Sequence, residues 1–327
     1  MTDQYGRDIR YLRISVTDRC NLRCIYCMPE EGVPCVSHSD ILTYDEITRI
    51  CRIGTELGIS RIKLTGGEPL VRRGLPDLLR MLKALPGIEQ VTLTTNGTLL
   101  KENLGALTDA GLDGVNISID TPDAARYEQV TRGGKLSDAL VGLEAALTYP
   151  ALTVRLNCVP MQEMPEEDYI RLAELSREKV MDVRFIEMMP LGQGKAFPAV
   201  RGERVYRLLK ERFGEAGKCE GTFGNGPAVY VRFPGFAGKT GFIDALSHQF
   251  CSACNRVRLT SEGILKPCLQ YGTGTDLRLL LRSGAGDDEI KAAMEQTIYE
   301  KPACHQFAKD RQEAAIFETR DMSQIGG

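Results

Sequence analysis

The sequence predicts an α/β fold: an incomplete parallel (βα)6 barrel, TIM-like, followed by a smaller C-terminal region. Short apolar runs alternate six times with longer amphipathic stretches, and strands alternating with helices of that length pair in parallel. Residues of unusual chemistry fall directly after the predicted strands, where parallel barrels place their sites. Beyond residue 195 glycine and proline become frequent ("GQGKAFPAV", "GTFGNGPAV", "FPGFAGKTG") and the alternation fades. The expected regions are therefore 1–194, the barrel, and 195–327, a more irregular part.

The elements follow in order. "YLRISVT" (11–17) reads as the first strand. Residues 43–58 read as a helix, with Thr43 as N-cap and Glu46 completing a capping box. Strand 61–67 precedes helix 75–86, and strand 91–97 precedes helix 100–111. Strand 114–120 precedes helical patterns between 123 and 147. Strand 153–159 precedes helix 165–179, and 182–189 is a sixth strand whose following helix is not legible.

The 327-residue chain is 43% apolar and 26% charged, with a formal net charge of −3. That balance favours neither nucleic acid nor a membrane surface, so an anionic substrate would need a local basic pocket. No apolar secretory segment opens the chain, and no apolar run reaches the ~18 residues of a membrane span, so the expected address is cytoplasmic. Eleven cysteines are expected to stay mostly reduced there, and an odd number cannot pair off completely.

Cys20, Cys24 and Cys27 form C-x3-C-x2-C just after the first strand. A zinc site would need a fourth ligand from elsewhere, and a disulfide would leave one thiol over. A [4Fe–4S] cluster held by three thiolates keeps one iron open to an exogenous ligand. The spacing, with Tyr26 before the third cysteine, resembles the radical S-adenosylmethionine (SAM) superfamily. The resemblance implies that the open iron chelates SAM. One electron then cleaves SAM to methionine and a 5′-deoxyadenosyl radical. It further implies SAM contacts from Tyr26, from Gly67 in "LTGGEP", from Ser118 in "NISID" and from Met189 in "FIEMM". Glycines in "LTGGEP" would let the backbone approach the ligand closely. Taken alone, Met189 reads as barrel core and Ser118 as a strand-end hydroxyl.

Cys251, Cys254 and Cys268 form a second triplet, C-x2-C-x13-C. His248 could complete a Cys3His zinc site, so zinc and iron–sulfur both remain open from the residues alone. In "CNRVRLT", strand alternation puts Arg256 and Arg258 on one side, a fork suited to phosphate oxygens. Both triplets, the context "CNRVRLTSEGILKPCL" and a terminal "IGG" together resemble the GTP 3′,8-cyclase family, which opens molybdenum-cofactor biosynthesis.

That resemblance implies a second [4Fe–4S] cluster on Cys251, Cys254 and Cys268, binding the guanine base of GTP. GTP contacts are implied for Arg13, Lys63, Thr94 and Arg155, and for Arg256, Arg258 and the backbone around Val257. The family more often has Arg at the position of Lys63 and Lys at that of Arg155, two swaps that keep charge but change geometry. The reaction implied is hydrogen abstraction from ribose C3′ of GTP, attack of C3′ on guanine C8, and reduction to 3′,8-cyclo-7,8-dihydro-GTP. Gly326 and Gly327 would reach into the active site. The implied partners are GTP, SAM, an unidentified electron donor, a downstream cyclic pyranopterin monophosphate synthase and a second copy of the chain, with no nucleic acid and no membrane.

Two alternatives are weighed against this: another radical SAM enzyme with an auxiliary cluster, and a zinc-stabilised binding protein. General nucleotide motifs fail. "GFAGKT" (235–240) has Phe233 where a P-loop needs its first glycine, and "GNGPAV" (224–229) lacks the third glycine of a dinucleotide fingerprint.

Overall fold

A computed structural model of the chain describes residues 1–221, 223–307 and 317–326. The predicted strands appear in order as β1 (Tyr11–Ser15), β2 (Arg61–Thr65), β3 (Gln90–Thr95), β4 (Gly114–Ser118), β5 (Thr153–Cys158) and β6 (Asp182–Ile186). Their crossovers carry α1 (Tyr44–Glu56), α2 (Leu75–Lys83), α3 (Leu100–Asp109), α4 (Ala124–Thr131), α5 (Leu136–Leu147) and α6 (Glu166–Glu178). The box that starts α1 is formed: Thr43 Oγ1 accepts from the Glu46 N–H at 3.1 Å, and the Glu46 carboxylate accepts from the Thr43 N–H at 2.7 Å. Each strand stops short of its predicted end, because its last residues already bend into the loops that build the site.

The strands alternate in sequence for a physical reason. Leu12 and Ile14, Ile62 and Leu64, and Val91 and Leu93 pack outward in the main core. Arg13, Lys63 and Thr92, which lie between them, face the interior. A parallel strand buried in apolar surroundings on both faces reads as a continuous apolar run. Here the inner face is a polar cavity, so the run is interrupted at every second residue.

Two more parallel strands come from beyond residue 195. β10 (Arg256–Leu259) pairs with β1 and β9 (Thr240–Ile243) with β6, giving the parallel series β10-β1-β2-β3-β4-β5-β6-β9. β11 (Ile264–Lys266) and β12 (Thr275–Asp276) extend it antiparallel beyond β10. β8 (Val229–Arg232) and β7 (Gly217–Lys218) do so beyond β9. Sheet and core thus run across residue 195, and the C-terminal region clasps both edges of the barrel.

That region is also more regular than its composition suggests. Helix α7 (Gly202–Phe213) completes the sixth βα unit, burying Val205 and Leu209 beneath a densely charged outer face that hides the stripe in the sequence. α8 (Leu277–Arg282), α9 (Asp287–Tyr299) and the short α10 (Met322–Ile325) follow. Among the described residues, no helix is long and apolar enough to cross a membrane.

Candidate active site

The barrel interior encloses a cavity of ≈ 280 Å³. Its upper end lies at the C-terminal ends of the strands. Cys20, Cys24 and Cys27 all reach its wall, as do Tyr26, Gly67, Ser118 and Met189. The cysteine loop is pinned from the side by α4: the N–H groups of Arg23 and Ile25 donate to the carbonyls of Thr131 and Val130 at 3.0 and 2.9 Å.

From below it is pinned by "LTGGEP". The Gly67 N–H donates to the Thr17 carbonyl at 2.7 Å and the Glu68 N–H to the Arg19 carbonyl at 2.8 Å. A β-carbon on Gly67 would sit 2.3 Å from the Arg19 oxygen, and one on Gly66 would sit 2.6 Å from the Thr17 oxygen. The glycine pair is therefore required by the close approach of the cysteine loop's own backbone, where the sequence is equally compatible with a simple turn and with the approach of a ligand. The Glu68 carboxylate accepts from Thr95 Oγ1 and the Asn96 N–H, both at 2.7 Å, and so locks the end of β2 to that of β3. Burial pushes it up to about 7.

Burial likewise pushes the Cys20 thiol up to about 11 and Cys27 to about 12, and Cys24 rises well above its ordinary value. Each must give up its proton to bind a metal. Cys20 Sγ accepts from the Leu22 N–H at 3.4 Å, the kind of donor that supports a ligating sulfur. Among the described residues, no three His, Cys, Asp or Glu side chains gather around a single metal ion. A cluster spreads its thiolates over several irons, and three soft donors on one wall fit that group.

Asp120, just past β4, was not legible as a site residue. It accepts from the Tyr26 hydroxyl at 2.7 Å and from the Val159 N–H at 2.8 Å, and burial pushes it up to about 6.

The lower half of the cavity is basic. The parallel register sets Arg258, Arg13 and Lys63 side by side across β10, β1 and β2. Arg155, Arg256 and Thr94 also line the cavity, and Thr94 Oγ1 accepts from Asn116 Nδ2 at 3.2 Å. Val257 does not; its side chain is buried in the outer core, which leaves its backbone alone on the site side. Arg184 was not singled out from the sequence. It occupies the inner face of β6 and donates to Asn157 Oδ1 through Nε at 2.9 Å and Nη2 at 2.6 Å. The alternation "DVRFI", a cation between two core residues, is the signal that could have found it. Asp182 answers part of this charge, 3.4 Å from Arg155 Nε and 3.0 Å from Lys239 Nζ. Burial first, then the charges of Arg184, Arg13 and Arg155, pushes Lys63 well below its ordinary value. Clustered buried cations are costly until an anion joins them, so the chamber suits a polyanion.

The second triplet lies beside this chamber, with its neighbours Arg256 and Leu269 on the cavity wall. Its loop is held by Arg7, paired with Asp3 at 2.6 Å, whose Nη1 donates to the carbonyls of Cys251 and Ala303, each at 2.9 Å. Burial raises the Cys254 thiol, but the charges of Arg256 and Lys301 and hydrogen bonds from Arg256 outweigh it and bring the thiol down to about 7. His248 is 77% exposed with Nδ1 3.7 Å from Asp244, so it is turned to that carboxylate and forms no Cys3His site. At the chain end, the Gly326 carbonyl accepts from Arg258 Nη1. Gly327 lies outside the described residues.

Residues 14–176 match the Radical SAM superfamily and residues 181–307 match Molybdenum Cofactor Synthesis C. The chain is 44% identical, over its whole length and theirs, to the GTP 3′,8-cyclases of Pelotomaculum thermopropionicum and Heliobacterium modesticaldum. With that of Clostridium perfringens the identity is 40%, again end to end. Among solved structures, Streptococcus suis SuiB bound to S-adenosylmethionine superposes with a TM-score of 0.60 at 16% identity, over 80% of this chain and 60% of SuiB. SuiB bound to precursor peptide SuiA gives 0.63 at 14% identity, over 98% and 71%. These two likenesses bear on the fold alone.

Proposed function

We infer that this chain, which belongs to the GTP 3′,8-cyclase family of the radical SAM superfamily, cyclises GTP in its barrel cavity. The observation that carries the reading is the polarity of that cavity. Three thiols and a glycine turn stand at one end, and basic side chains crowd the other.

Cys20, Cys24 and Cys27 would hold one [4Fe–4S] cluster, and Cys251, Cys254 and Cys268 a second. When bound, the first cluster supplies the electron that cleaves SAM to the radical that removes hydrogen from ribose C3′. Tyr26, Gly67, Ser118 and Met189 would orient SAM at the upper end. Arg13, Lys63, Arg155, Arg256 and Arg258, with Arg184, would neutralise the triphosphate, and Thr94 would bond to GTP. Holding both molecules in one walled chamber keeps the ribose carbon beside the reacting centre and excludes water and other hydrogen donors. Residues 1–194 would thus serve SAM, and 195–327 would supply the second cluster and part of the GTP wall. An external reductant, a downstream cyclic pyranopterin monophosphate synthase, a homodimeric state and a cytoplasmic address complete the reading.

The test is anaerobic incubation with SAM, dithionite and GTP. Both 5′-deoxyadenosine and a cyclised dihydro-GTP are expected. Deoxyadenosine alone would keep SAM cleavage and reject GTP as substrate.

A further inference from the structure

We propose that the loop 223–227 is the floor of the substrate chamber and sets the length of phosphate chain it accepts; this rests on the reading that GTP occupies the cavity. The loop belongs to the connection between β7 and β8, at one edge of the sheet. It crosses beneath the barrel and docks on strands of the other side. Asn225 Oδ1 accepts from Arg61 Nη1 at 2.8 Å, and Asn225 Nδ2 donates to Gln90 Oε1 at 2.6 Å. Arg61 and Gln90 are the first residues of β2 and β3, so this is the lower rim. At the loop's root, the Phe223 ring meets Tyr230 edge-on at 5.5 Å and carries Lys239 Nζ 4.8 Å above it. Gly224, Asn225, Gly226 and Pro227 line the same cavity as the basic groups.

The depth of the floor is set against those groups. Gly224 has φ +83°, and a β-carbon on it would stand 3.2 Å from Arg155 Nη2. Lys63 lies two residues above Arg61 on β2, with Arg13 and Arg258 in register beside it. The basic side chains that would receive the phosphates share the cavity with this loop, and Arg155 stands against Gly224, so the anionic end of a bound nucleotide would lie against the loop. A floor at fixed depth discriminates in both directions. A chain one phosphate short leaves buried cations without their anion, which is costly. A longer or capped chain runs into Gly224 and Asn225.

Equilibrium binding to the anaerobically reconstituted enzyme tests this with GTP, GDP, guanosine 5′-tetraphosphate and GTP esterified on its γ-phosphate. The native chain is expected to prefer GTP over each of the other three by at least about tenfold. Asn225→Ala removes both anchors of the loop, and Arg61→Ala removes one from the opposite side. In each variant the penalty on the tetraphosphate and the γ-ester should shrink at least about tenfold, while the penalty on GDP persists. Equal affinity of the native chain for GTP and its γ-ester would overturn the proposal, and so would unchanged discrimination in both variants. Failure of GTP itself to bind would instead reject the functional reading on which the proposal stands.

Discussion

Arg258, on the strand that follows Cys254, donates a hydrogen bond to the carbonyl of Gly326 near the end of the chain. Gly326 has φ +76°, and a β-carbon there would lie 3.0 Å from Ser15 Cβ and 3.3 Å from Thr65 Cγ2, at the tops of β1 and β2. Gly326 is thus seated over the strand that leads into the first triplet and the strand that ends in the glycine turn. Removing residues 326–327 is expected to abolish the cyclised product while leaving iron and sulfide content unchanged. Full activity in the truncated chain would refute that placement of the tail.

The glycine turn makes a second prediction. In Gly67→Ala the new methyl would collide with the Arg19 carbonyl 2.3 Å away, so the cysteine loop must shift. Iron content should drop toward about four per chain from the about eight expected for two cubanes. Normal iron content together with normal SAM cleavage would show that the loop yields without consequence.

The two triplets should also separate by chemistry. Cys24→Ser is expected to abolish 5′-deoxyadenosine formation. Cys254→Ser should keep deoxyadenosine formation and lose only the cyclised product, again with about four irons per chain. Loss of both products in Cys254→Ser would mean that the second triplet is needed for SAM cleavage as well.

A buried ion pair steers the tail. Lys266, fully buried on β11, is paired with Glu318, and Arg320 donates to both Glu318 oxygens at 3.0 Å. Burial alone would raise Glu318, but hydrogen bonds from Arg320 and Lys266 outweigh it and hold the carboxyl down to about 2. Its ordinary value is ~4.3, so the folded chain binds fewer protons in between. The stabilisation is complete above pH ~4.3 and is lost as pH falls through the folded value. Burial pushes Lys266 down to about 8 even beside this carboxylate, so in Glu318→Gln the buried amine loses both its anion and its charge, at a cost of ~3–5 kcal/mol at neutral pH. Denaturant unfolding of the apoprotein should show that loss, and the variant's stability should fall less steeply than the native chain's between about pH 5 and about pH 2. Parallel pH dependences would remove Glu318 from the account.

Much of the site is legible in single strands. Arg13, Lys63, Arg155 and Arg258 each interrupt an apolar strand, and all four line the cavity. Arg184 obeys the same pattern, but no motif surrounds it. Asp120 and Arg7 carry no local signal, because what they bind lies far along the chain: Tyr26 for the first, the carbonyls of Cys251 and Ala303 for the second. α7 is not legible in the sequence because its charged residues outnumber those it buries.

By itself the sequence determined the order of βα units, the two thiol triplets and the alternation that marks a polar interior, since each depends on residues close together in the chain. Only the tertiary structure decided that β9 and β10 close in on both edges of the barrel, that Arg258, Arg13 and Lys63 stand in one row, and that Asn225 shuts the lower end. Those relations are fixed by interstrand register and by contacts between distant segments, which local propensity and spacing do not encode.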